Sequence, residues 1–93
     1  MDSNIVRVSA AITNARGLHA RASAKFVETV ARFKSEVTVT KDGTSVSGRS
    51  IMGLMMLAAS KGTIIELMAE GPDARDAIAA LMALITAKFH EDV

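Results

Sequence analysis

Ile5-Val6-Arg7-Val8-Ser9-Ala10-Ala11-Ile12 and, after a short break, Leu18-His19-Ala20-Arg21-Ala22-Ser23-Ala24-Lys25-Phe26-Val27-Glu28-Thr29-Val30-Ala31-Arg32-Phe33 differ in period, and that difference decides the fold class. In the first stretch Val6, Val8, Ala10 and Ile12 share one face and Arg7, Ser9 and Ala11 the other, the alternation of a half-buried strand. In the second, Phe26, Val30 and Phe33 recur at i, i+4 and i+7, flanked by Val27 and Ala31. Arg21, Lys25, Glu28 and Arg32 lie opposite, which predicts an amphipathic helix of about four turns.

Outward from this pair the chain keeps switching. Glu36 to Thr40 alternates around Val37 and Val39, and Asp42-Gly43 supplies the two positive-φ residues of a tight hairpin before Thr44 to Ser47. Ser50 is an N-cap for an apolar helix from Ile51 to Ala59, which Lys61-Gly62 stops. Thr63 to Glu70 alternates with Ile65, Leu67 and Ala69 inward. Gly71-Pro72-Asp73 then breaks the strand and caps a helix carrying Ile78, Leu81 and Ile85. The order β-α-β-β-α-β-α predicts an α+β domain over residues 1–93, with the helices on one side of a four-stranded sheet.

Ninety-three residues, 49% of them hydrophobic, suit one domain with a small core. Eleven Lys and Arg against ten Asp and Glu leave a net charge of +1, so any electrostatic function is local rather than a broad nucleic-acid surface. The absence of cysteine excludes disulfides and thiolate metal sites. The start, Met1-Asp2-Ser3-Asn4, is polar and has no signal-like run, and Ile51–Ala59 is about half the roughly 20 residues of a membrane span. A cytoplasmic protein without membrane insertion is expected.

His19 stands where the first helix begins. A helix N-terminus offers unpaired backbone N–H groups and the positive end of the macrodipole, so Ala20 and Arg21 would present amides to an anion such as phosphate. The Arg21 guanidinium can grip phosphate oxygens in bidentate fashion, and Arg16 and Lys25 add positive field. An ordinary imidazole, titrating near about pH 6.5, keeps a lone pair at neutral pH and can attack phosphorus. The plainer alternative, a surface or capping histidine, stays open on position alone. Metal binding is not expected: His90 is placed in the last helix, and no carboxylate or second histidine sits at ligand spacing beside His19. No cofactor is called for, and a serine-hydrolase elbow is missing.

Arg16-Gly17-Leu18-His19-Ala20-Arg21-Ala22-Ser23-Ala24 resembles the active-site segment of the HPr family, the histidine-containing phosphocarriers of the bacterial phosphoenolpyruvate-dependent phosphotransferase system, with Gly-Leu-His-x-Arg as its specific core. Ser50-Ile51-Met52-Gly53-Leu54-Met55-Met56-Leu57-Ala58-Ala59 resembles the family's regulatory serine and the apolar helix after it. The resemblance covers essentially the whole chain. It implies an open-faced β-sandwich, a four-stranded antiparallel sheet covered on one side by three helices. It also implies phosphorylation of His19 on Nδ1 by enzyme I, phosphoryl stabilisation by Arg21, transfer to an enzyme IIA-type acceptor and modification of Ser50 by HPr kinase/phosphorylase. Most members carry proline after the active-site arginine, where this chain has Ala22, so the rigidity that proline gives a first helical turn is absent.

Nine consecutive apolar residues cannot all be buried at the edge of so small a domain. Ile51, Met52 and Met55, with Arg16 nearby, are therefore expected to form a partner-docking patch beside His19, its methionines adaptable to several surfaces; a wholly buried helix is the alternative. A phosphate on Ser50 would suit the helix dipole yet place about two negative charges in that patch. The expectation is a monomeric phosphocarrier rather than a stand-alone enzyme. A purely regulatory, nitrogen-type modulator is the second reading. A small RNA-binding α/β domain is a distant third, because only three phenylalanines are present and no strand offers a stacking platform.

Overall fold

The computed structural model describes residues 4–92; the polar start Met1–Ser3 and the terminal Val93 lie outside them. The elements run β1 (Ile5–Ala11), α1 (Ala20–Val30), β2 (Glu36–Lys41), β3 (Thr44–Ser47), α2 (Ile51–Met56), β4 (Ile64–Glu70) and α3 (Ala74–Thr86). The predicted order holds, and all strand pairs are antiparallel in the spatial order β1-β4-β2-β3.

Register explains which face is buried. Val8 and Val39 flank Leu67 on β4, and Val6 and Val37 flank Ala69, so three strands present their apolar sides in matched rows. Val37, Val39, Ile65, Leu67 and Ala69 are essentially sealed from solvent. The alternate row, with Arg7 opposite Met68 and Ser9 opposite Glu66, faces out. Onto the apolar face pack Phe26 and Val30 of α1, Leu54 of α2, and Ile78, Leu81 and Ile85 of α3, making one contiguous core. The result is an open-faced sandwich of three helices on one side of a four-stranded sheet.

Three boundaries differ from the sequence expectation. Helix α1 is confined to Ala20–Val30, its last turn giving way to i→i+3 bonds from Arg32 and Phe33. Helix α2 ends at Met56 rather than Ala59, because Ala58 enters the left-handed region (φ 54°) and the Lys41 ammonium donates to the Leu57 and Ala58 carbonyls at 3.0 and 3.4 Å. Asp73 occupies the cap position of α3 but makes no side-chain cap bond. Its carboxylate instead accepts from the Lys34 amide and from the Ser35 amide and hydroxyl, at 2.9, 2.9 and 2.6 Å, tying the α1–β2 turn to the start of α3. The hairpin is as read, with Asp42 and Gly43 both at positive φ, 49° and 82°.

Candidate functional site

The loop between β1 and α1 fixes His19 through its backbone. Gly17 has φ +63°, and a Cβ there would lie 2.3 Å from the Ala59 carbonyl oxygen, so the chain passes a place where only glycine fits. The next amide, Leu18, donates to that same oxygen at 2.9 Å. The buried Ser23 hydroxyl reaches back to the Leu18 carbonyl at 3.1 Å. His19 is thereby held as the N-cap of α1 in extended conformation (φ −74°, ψ −178°), and its side chain makes no cap bond. The first helical bond is from the Ser23 amide to the His19 carbonyl. The amides of Ala20, Arg21 and Ala22 precede it in the first turn, where Ala20 and Arg21 are the two the sequence offers to an anion. Ala22 itself is fully buried.

An open cleft of about 310 Å³ contains His19 together with Arg16, Arg21 and Lys25, the cations expected there, and also His90, Glu91 and Asp92. The last three overturn part of the sequence reading. A carboxylate does lie beside His19: Glu91 bonds the His19 Nε2 atom. Asn14, fully buried, donates to the other Glu91 oxygen at 3.0 Å and to the Gly17 carbonyl at 2.9 Å. Burial pushes the Glu91 carboxyl up, but the bonds from His19 and Asn14, with the Arg16 charge nearby, outweigh it and hold the group below its ordinary range.

His90 lies beyond α3, in a separate short 3-10 turn, Lys88–His90. Helix α3 stops at Thr86, and Lys88, Phe89 and His90 then adopt left-handed φ values of 55°, 55° and 60°. Such a turn costs roughly 1–2 kcal/mol per non-glycine residue. It is offset by the complete burial of Phe89 and by the Lys25 ammonium donating to the Phe89 carbonyl at 2.7 Å. Glu91 and Asn14 carry no local signal of their role, since the bond joining His19 to Glu91 spans 72 positions. The nearest hint was Phe89, an apolar residue among polar ones near the chain end. Among the described residues no group of three or more His, Asp or Glu side chains is disposed to hold a metal ion.

Ser50 is the N-cap of α2, its hydroxyl accepting from the Gly53 amide at 2.9 Å. From it the helix turns Leu54 into the core and leaves Ile51, Met52 and Met55 exposed, along with Met56, which the sequence reading did not single out. The loop after α2 reaches the histidine: Ala58, Ala59 and Ser60 share a shallow pocket of about 210 Å³ with Arg16, Leu18 and His19. No helix among the described residues is long and apolar enough to cross a membrane.

Comparison with known proteins agrees with this architecture. A family model described as the PTS HPr component phosphorylation site matches residues 6–87. The chain is 55% identical over 87 residues to the phosphocarrier protein HPr of Neisseria meningitidis, covering 94% of this chain and 98% of that one. Among solved structures it is similar to HPr-C-His of Thermoanaerobacter tengcongensis, with TM-score 0.91 and 45% identity over 95% of this chain and 99% of that one. It is also similar to an HPr dimer from the same organism, with TM-score 0.75 and 48% identity, covering 90% and 97% of the two chains.

Proposed function

This chain belongs to the HPr family of phosphotransferase-system phosphocarriers, and on that footing we propose that His19 accepts a phosphoryl group from phosphorylated enzyme I and yields it to an enzyme IIA-type acceptor. The observation that carries this reading is the placement of His19 as the N-cap of α1, its side chain making no cap bond, in a cleft lined by Arg16, Arg21 and Lys25. A phosphoryl group arriving there meets the first-turn amides, held in place by the helix before the reaction begins, and the exposed Arg21 guanidinium that lines the cleft. The Nδ1 lone pair forms a bond to phosphorus as the bond from phosphorus to the donor breaks, and that electron pair leaves with the donor. Passing the group on reverses these events toward the acceptor. No cofactor is needed, and the chain acts as a carried intermediate rather than a stand-alone enzyme.

Docking is assigned to Ile51, Met52 and Met55 with Arg16, an exposed apolar surface adjoining the loop that packs on His19. Ser50, at the head of that surface, is assigned as the target of HPr kinase/phosphorylase, its phosphate repelling partners that approach with acidic surfaces. The protein is proposed to act as a cytoplasmic monomer. The sheet's outer face, with Arg7, Ser9, Thr38, Thr40 and Glu66, offers no aromatic platform, which disfavours RNA binding. A nitrogen-type regulatory role would use the same histidine chemistry.

Incubation with phosphoenolpyruvate and enzyme I is expected to place acid-labile phosphate on the wild-type chain and none on His19→Ala. Label retained by His19→Ala would defeat the mechanism.

A further inference from the structure

Among the described residues, every hydrogen-bonding contact of the Glu91 side-chain carboxylate is with the loop that carries His19. One oxygen meets His19 Nε2 and the other accepts from Asn14, which also grips the Gly17 carbonyl. We infer that Glu91 is a positioning residue of the phosphotransfer site, accepting the Nε2 proton of His19 so that Nδ1 is the ring nitrogen left with the lone pair that attacks phosphorus. This inference rests on the phosphocarrier reading and deepens it.

A neutral imidazole carries its one proton on either nitrogen, and only the form protonated at Nε2 has a nucleophilic Nδ1. An ionised carboxylate accepts hydrogen bonds and donates none, so its contact with Nε2 selects that form. Both partners are largely withdrawn from water, the His19 and Glu91 side chains being 16% and 12% exposed, which strengthens the bond and limits rival waters. The carboxylate is itself tethered, because fully buried Asn14 bonds it to the same turn whose Gly17 sets the backbone of His19.

The chain also accepts backbone strain to bring Glu91 there. Lys88, Phe89 and His90 are all left-handed, Phe89 is driven into the core, and Lys25 of α1 holds its carbonyl. Strain of this kind persists where surrounding contacts over-determine it, and here its outcome is the placement of one carboxylate. Because Glu91 meets Nε2 rather than Nδ1, it supports the ring without occupying the position of the incoming phosphorus. When the Nδ1–phosphorus bond forms, the positive charge developing on the ring is shared with Nε2–H, which stays hydrogen-bonded to Glu91. The proton does not leave the ring, and no bond to phosphorus is made by the carboxylate.

The test uses the full-length chain with ¹⁵N-labelled histidine, as wild type, Glu91→Gln and Glu91→Ala. The wild type should show an Nε2–H proton on His19 protected from solvent exchange, retained in Glu91→Gln and lost in Glu91→Ala. Phosphorylation by enzyme I and phosphoenolpyruvate should slow in Glu91→Ala by about tenfold in kcat with little change in KM, as expected for loss of one charge-assisted bond to the reacting group. Glu91→Gln, which keeps an acceptor but not the charge, should fall between. A variant with lower Tm but unchanged Nε2–H protection and kcat would overturn the inference, leaving Glu91 a structural contact only. Failure of the phosphocarrier reading would be seen separately, as a wild type that takes no label on His19.

Discussion

At the scale of single residues, His19 depends on Gly17. The glycine adopts a left-handed backbone while passing within contact of the Ala59 carbonyl, and Leu18 bonds that same carbonyl. Gly17→Ala therefore meets two penalties, roughly 1–2 kcal/mol for the left-handed backbone and a further cost for the displaced carbonyl. Thermal unfolding should shift down by at least about 5 °C for a domain of this size. Labelling by enzyme I should slow as well, since the loop that orients the histidine must move. An unchanged Tm would show that the Ala59 segment yields freely. The neighbourhood of His19 on its own side, Arg16, Ala20, Arg21 and Lys25, was legible because helix geometry brings sequence neighbours together. Glu91 and Asn14 were not, because their meeting depends on where a distant chain end is packed.

At the scale of elements, α2 separates local folding from docking. Its cap is the Ser50 hydroxyl on the Gly53 amide, read correctly from the sequence because an N-cap is a local preference. Ser50→Ala should cost about 1 kcal/mol, measured as a lower urea midpoint, and should take no acid-stable phosphate from HPr kinase and ATP. Ser50→Asp should keep the cap and the midpoint, because aspartate accepts the same amide bond. Its labelling by enzyme I should nonetheless slow on the order of tenfold, the effect of a negative charge placed in the docking patch. Equal labelling of Ser50→Asp and wild type would remove the patch from the mechanism. Composition favours helix through Ala59, yet α2 ends at Met56. Lys41, arriving from β2, satisfies the last carbonyls instead and lets Ala58 turn away.

At the scale of the whole molecule, Asp73 joins two parts of the fold that are remote in sequence. Hydrogen bonds from the Ser35 hydroxyl, then the Lys34 amide, hold its carboxyl below the ordinary aspartate range. A folded value below the unfolded one adds stability above the unfolded value, and that addition is lost as pH falls through the folded value, in the region below about pH 4. Asp73→Asn should therefore unfold at lower urea than wild type near about pH 7, with the gap closing toward about pH 3. A gap that stays constant over that range would show that the ionised carboxylate is not what the clamp requires.

The sequence by itself determined the order of elements, the inward faces of β1, β2 and β4, the hairpin at Asp42-Gly43, the Ser50 cap and the cationic first turn beneath His19. All of these follow from periodicity, capping and turn preferences that act within a few residues. Only the tertiary structure decided the sheet order β1-β4-β2-β3, the diversion of Asp73 from its own helix to Lys34 and Ser35, and the return of Glu91 to His19. Each of these brings together groups whose separation along the chain is closed only when the shared core forms. Burial of Phe89 carries the chain end back to the loop after β1, and no local preference of the residues themselves could specify that contact.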